Sequence, residues 1–153
     1  MDTLRPDTGS TANPGSVVAA ARAATVLAAG RAAAGRGLND ACTITRKTGE
    51  TTNPANGVVT PMYTQLFAGA CRVQAASANW AGPTTVAEAA LRLASFELQL
   101  PVAGSEGLRI DDRVTITACR NDADLVGRVF TITGASRKSD ATTRKLPLLE
   151  VLS

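Results

Sequence analysis

The side chains able to do chemistry in this chain fall into three small sets. Cys42, Cys71 and Cys119 are thiols, Asp111-Asp112 and Asp122/Asp124 are acidic pairs, and Arg137-Lys138 and Arg144-Lys145 are basic pairs. A thiol acts as a nucleophile or a metal ligand when a base, a helix end or a second close thiol activates it. The chain has no Cys-x-x-Cys and no histidine. A Ser-His-Asp triad, a Cys-His pair and a His-bearing zinc site are therefore excluded within one chain. The side chain that titrates near neutral pH is missing as well. The cysteines are odd in number, widely spaced and set in apolar or strand-like runs, where a free thiol behaves as a small hydrophobe. They are expected to be buried, reduced and free of metal, the alternative being a single disulfide.

Carboxylate pairs serve acid–base catalysis or hold Mg²⁺ or Ca²⁺. Here both pairs fall at strand edges or turns, where Asp is ordinary turn chemistry, so they are expected as turn or solvated-edge residues. Residues 121–124 lack the Gly and the distal Glu of an EF-hand loop. The two basic pairs are expected to be solvated, with phosphate contact as the sharper alternative. No nucleotide-binding loop, nucleophile elbow or zinc-protease motif occurs. No catalytic, metal-ligating or cofactor-binding residue is nominated, and the chain is expected not to be an enzyme.

A chain of 153 residues is about one domain. Its composition is 44% hydrophobic but 3% aromatic, and its formal net charge is +3. The excess lies before Ala75, with seven basic against four acidic residues; beyond it the count is nine of each. That is too mild for a dedicated duplex-DNA binder, which carries a denser stripe.

Residues 1–16 are rich in Asp, Thr, Gly, Pro and Ser with Leu4 as the one large apolar side chain after Met1, and are expected to be a disordered or extended arm. Asp2 and Asp7 against Arg5 do not make a signal peptide. Residues 17–34 read as a helix capped by Ser16 and stopped at Gly35-Arg36-Gly37, within an N-terminal unit of residues 17–37. Arg22 and Arg31 lie on opposite faces, so this helix has no single solvent side. It is either a surface helix with a narrow apolar stripe or a helix touching something on two sides. Its Ala content and its arginines argue against a membrane span.

From residue 41 the period changes to two, the strand signal. The body, residues 38–153, is expected to be mainly β: a small β-barrel or sandwich of short strands. Cys42–Arg46 and residues 59–68 form a hairpin around a turn-rich loop at 47–58. Gly69 is expected to mark a bend or bulge, and Pro147 an edge strand or bulge. Ile44, Phe96, Leu98, Val114, Ile116, Phe130 and Ile132 share one phase and are expected in one core. Residues 75–90 form a second long loop, carrying Trp80 as a lid over the core or an interface anchor.

The order of these pieces carries a resemblance. An Ala/Arg-rich helix precedes C-T-I-T-R at 42–46 and Y-T-x-L-F-x-G-x-C-R-V-Q at 63–74. F-E-L-Q-L-P follows at 96–101, R-I-D-D-R-V-T-I-T at 109–117, D-x-D-L-V-G-R-V-F at 122–130 and T-T-R-K-L-P-L-L-E-V at 142–151. Over about residues 17–152 the chain resembles the small head-to-tail connector, or stopper, proteins of long-tailed phages that infect actinobacteria. The resemblance implies a ring-forming structural subunit of the virion neck, made in the host cytoplasm. It implies six or twelve copies that close the DNA exit channel after packaging and dock the tail. Its partners would be other copies of itself, an adaptor protein above, a tail-terminator or tail-completion protein below, and packaged DNA touched non-specifically in the lumen. It implies no cofactor and no membrane.

The family's channel loop has no motif to match, so site residues come from the two long loops. Ser77, Asn79, Trp80, Pro83 and Thr84 in one, and Lys47, Asn53 and Asn56 in the other, are the candidates for the lumen or an interface. Residues 75–90 are favoured for the gate because they hold no Lys or Arg. Val18, Arg22, Val26, Leu27 and Arg31 are the candidates for inter-subunit contact on the helix. The competing reading is an OB-like nucleic-acid-binding module, disfavoured because few aromatics remain for base stacking.

Overall fold

Alternating apolar and polar residues dictate strands with one buried face, and a sheet of such strands must cover that face. The computed structural model describes residues 13–76, 95–135 and 137–151. Here the sheet covers itself by closing. Its strands are β1 (Asp40–Thr52), β2 (Val59–Ala75), β3 (Ser95–Pro101), β4 (Arg113–Ala118), β5 (Val129–Ile132) and β6 (Thr143–Glu150). They run antiparallel in the order β1-β2-β3-β6-β5-β4, and pairing of β4 with β1 completes a small closed barrel. One helix, α1 (Pro14–Gly35), precedes it. The mainly β architecture with an N-terminal helix is the one read from the sequence.

The inward phase is the expected one. Ile44, Leu98, Val114, Ile116, Phe130 and Ile132 are buried, joined by Leu100, Leu146 and Leu148. Phe96 departs from the expectation: it is half-buried. It pairs with Ala75 at the last rung between β2 and β3, so it sits at the barrel's end and packs edge-on against Phe130, with ring centroids 5.2 Å apart. Cys42 and Cys71 are buried free thiols, and Cys119 is a free thiol only half-buried. A hydrogen bond with Cys42 and burial together push the Cys71 thiol far up, so it stays protonated and inert.

Several boundaries differ from the sequence reading. The helix starts at Pro14, not residue 17, because Asn13 rather than Ser16 caps it; Asn13 Oδ1 accepts the Gly15 N–H at 3.1 Å. Proline at the first helical position wastes no donor, so Pro14 opens the helix instead of preceding it. Of residues 1–16, the first 12 lie outside the described residues. Residues 47–52, expected as loop, continue β1, paired from Lys47↔Tyr63 to Thr52↔Val59. Gly69 makes no bulge and pairs with Cys42; the register slips instead at Leu66 and at Thr48.

Pro147 lies inside the closed sheet rather than on an edge strand. Its carbonyl accepts the Thr133 N–H at 3.0 Å, so its missing N–H points to the same side, past the end of β5. The bond forgone is the reciprocal one to the Thr133 carbonyl, just beyond β5, and the pairing with β3 loses nothing. Gly134 makes room: a Cβ at that position would fall 2.9 Å from Pro147 Cγ.

Asp112 also departs from the expectation of a solvated edge. It is buried and grips Arg46 with both oxygens, at 2.7 Å from Nε and 2.8 Å from Nη2. Its Oδ2 accepts the Arg109 N–H at 2.7 Å, and Arg46 Nη2 donates to the Gly107 carbonyl at 2.8 Å. The carboxylate hydrogen bond raises the Arg46 guanidinium above its ordinary value. This clasp sits where β1 parts from β4, one residue past their last pair, Thr45↔Arg113.

Glu97, on the face of β3 opposite Leu98, is buried too. Burial alone would raise its carboxyl. Hydrogen bonds from Gln99 at 2.9 Å, from Lys145 at 3.1 Å and from Gln74 at 3.0 Å outweigh that effect and hold it below the ordinary range.

Three outcomes are expected. Phe130→Ala leaves a cavity among buried neighbours and lowers unfolding free energy by ~3–5 kcal/mol in urea titrations. Asp112→Ala costs about 3 kcal/mol, the lower end for a broken buried pair, because Arg46 is 30% exposed and can rehydrate. Glu97→Gln destabilises at neutral pH, and its deficit shrinks below pH ~4. The depressed carboxyl contributes fully above its unfolded value and loses that contribution as pH falls through the folded one. Melting curves of both proteins across acid pH check the sign.

Candidate functional site

Among the described residues two parts of the chain leave the barrel, and both carry residues nominated from sequence. The first is the outer half of the β1–β2 hairpin. β1 has β4 beside it only from Ala41 to Thr45, and β2 has β3 beside it only from Arg72 to Ala75. Beyond Arg46 the two strands have only each other. Six further residues of β1 extend the ribbon by about 20 Å at ~3.3 Å per residue. Such a two-stranded ribbon is marginal in water without another surface.

Its tip is built from turn chemistry. Asn53 Oδ1 accepts the Ala55 N–H at 2.9 Å, and Asn56 Oδ1 accepts the Val58 N–H at 3.1 Å. Gly57 takes φ 68°, the left-handed region open to glycine. Asn53 and Asn56 therefore shape the tip through their side-chain oxygens. Lys47, at the ribbon's base, pairs with Glu50. Residues 51–62 carry no charge. Tyr63 faces back to the barrel, its ring 5.6 Å from the Arg113 guanidinium carbon, within cation–π range.

The second projection is α1. None of its residues is buried. Val18 and Val26 are exposed, Arg22 and Arg31 likewise, and Leu27 is half-buried. The helix meets the barrel near its C-terminal end. Arg31 Nε donates to the Ala141 carbonyl at 3.1 Å, and a Cβ on Gly30 would fall 3.2 Å from Thr142 Cγ2. By length and composition this helix would suffice to cross a membrane. Arg22 stands near its middle, where a cation in a bilayer costs ~2.5–3.5 kcal/mol.

Of the ten exposed large apolar side chains among the described residues, seven lie on these two projections: Val17, Val18 and Val26 on α1, and Val58, Val59, Met62 and Tyr63 on the ribbon. The four on the ribbon were not nominated from sequence. The signal was present: Val58-Val59 and Met62-Tyr63 are adjacent apolar pairs, which put apolar groups on both faces of a strand. Ser77, Asn79, Trp80, Pro83 and Thr84 lie outside the described residues, as does most of the loop at 75–90; Ala75 itself ends β2.

A cavity of 470 Å³ beside Asp40, Arg72, Gln74 and Asp122 holds Cys119 on its wall. No histidine exists in the chain to activate that thiol. No group of three or more Cys, Asp or Glu side chains suited to a metal ion occurs among the described residues.

No curated protein matches the chain. In fold it is similar to the solution structure of protein SF1141 from Shigella flexneri 2a, with a TM-score of 0.50 and 18% identity over 74% of this chain and 92% of that one. Likeness at that identity concerns the fold alone. Residues 30–148, which run from the end of α1 through β1 to β5 and into β6, match the model of the family of unknown function DUF6093, and the chain belongs to that family.

Proposed function

We propose that this chain is a ring-forming structural subunit of a bacteriophage neck, a head-to-tail connector of the stopper type. In this reading it closes the DNA exit channel after packaging and docks the tail. The observation that carries the reading is the pair of projections. A small closed barrel needs neither for its own core, yet both expose apolar side chains that a monomer leaves in water. A ring of identical subunits meets that need, since each copy presents its helix or ribbon to the next. The motif order described above supports the phage assignment. The two-sided helix, with Arg22 and Arg31 on opposite faces, suits contact with a neighbouring subunit and with an adaptor or tail protein.

The ribbon also has the character of a gate. Several copies must meet on an axis without bulky or charged tips. They must also release DNA quickly, and each phosphate gripped by Lys or Arg strengthens binding. Residues 51–62 grip none. An OB-like reading lacks stacking platforms: among the described residues Tyr63 is the exposed aromatic, and it already holds Arg113.

Cryo-electron microscopy of intact virions tests the reading, with six or twelve copies expected at the neck and α1 in contact across subunits. A neck without density for this chain overturns it. Replacing residues 51–60 by an Asn-Gly turn is expected to leave the barrel's melting temperature within a few degrees. Packaged DNA should then escape from heads that have not yet joined tails, measured as nuclease-sensitive DNA. Normal retention would remove the ribbon from the gate.

A further inference from the structure

The two basic pairs, separate in sequence, meet in space. The turn that follows β5 and the start of β6 enclose, with the turn after β3, a cleft of 470 Å³. Arg137, Lys138, Arg144 and Lys145 all line it, against one carboxylate, Glu106. The second half of the chain is neutral overall, so this is a local concentration of positive charge rather than a reflection of net charge. Asp140 lies in the same turn, at φ 53°, but is not among the lining residues. Lys145 is partly engaged by Glu97 at 3.1 Å. Arg137 and Lys138 form no salt bridge among the described residues.

Arg144 is the fixed element. Its Nε donates to Ser105 Oγ at 3.0 Å. Ser105 is fully buried and donates in turn to the Pro101 carbonyl. The guanidinium is thus held in place through one nitrogen, and its two terminal nitrogens have no hydrogen-bond partner among the described residues. A planar fork held from behind and flanked by exposed cations is the arrangement that receives a tetrahedral oxyanion through paired hydrogen bonds. The cleft also has the size of small-ligand sites.

We propose that this cleft binds a phosphate group, with Arg144 as the oriented donor and Arg137 and Lys138 as the cations that close over it. The group comes either from a free phosphate or from the phosphodiester backbone of nucleic acid. The proposal stands apart from the neck reading: a subunit of any assembly could carry such a cleft, and a ring could exist without it.

The test uses the full chain, inorganic pyrophosphate as one probe and a short fluorescent DNA duplex as the other. Pyrophosphate binding is read by calorimetry and duplex binding by anisotropy, at salt between about 50 and 200 mM. Arg137→Ser/Lys138→Ser, on an exposed turn, is the main variant, and Arg144→Gln is the second. Arg36→Ser/Arg120→Ser, two exposed residues that do not line the cleft, removes equal charge elsewhere and is the control. The expected result is at least a tenfold loss of affinity for one probe or both in the turn variant, with less than a twofold loss in the control. Loss for pyrophosphate alone identifies a free phosphate as the source. Loss for the duplex, with a salt slope reduced by about two, identifies the phosphodiester. Equal losses in the turn variant and the control, or no binding of either probe at millimolar concentration, overturns the proposal. If Arg144→Gln fails to fold, the turn variant decides.

Discussion

A closed sheet is only as tall as its shortest strands allow. β4 has six residues and β5 four, whereas β1 has 13 and β2 17. The long strands can share in the barrel over their first or last few rungs and no further. What remains has no third strand to pair with, so it leaves as a two-stranded ribbon. Closure through β1 and β4 thus creates both the packed core and the feature that projects from it.

The fork where ribbon and barrel separate needs a local solution. β4 and β1 stop pairing at Thr45↔Arg113, and the next residue on one strand and the preceding residue on the other are Arg46 and Asp112. A buried carboxylate is costly unless each oxygen is paired, and here each one is. Asp112 also joins the turn before β4 to β5, since its carbonyl accepts the Ile132 N–H at 3.0 Å. Tyr63 over Arg113 adds a second tie on the ribbon side. The ribbon therefore leaves the barrel at a fixed point, as a projection needs if it is to meet a partner in register.

The outer surface divides accordingly. Apolar groups without partners gather on the ribbon and the helix, which suits association between copies. Cations gather in the cleft at the start of β6, beside the place where the helix touches the barrel through Arg31 and Gly30. Exposed apolar groups and a basic cleft thus sit on separate elements of one small barrel.

Residue order alone was enough to define the local elements. The period-two alternation put Ile44, Leu98, Val114, Ile116, Phe130 and Ile132 in one inward phase, because a strand's side chains alternate regardless of what they face. The helix and its glycine stop were legible for the same local reason. Its start was misread, since Pro14 and Ser16 each fit two positions in a cap. The threonine-rich run at 47–52 was legible only as turn-prone, because whether it becomes strand depends on a partner strand with matching register. The burial of Asp112 and of Glu97, the tolerance of Pro147 within the closed sheet and the meeting of Arg137-Lys138 with Arg144-Lys145 in one cleft were not legible at all. Each depends on which strands lie side by side around the ring. That order is set by the global closure of the sheet, which no local pattern of residues encodes.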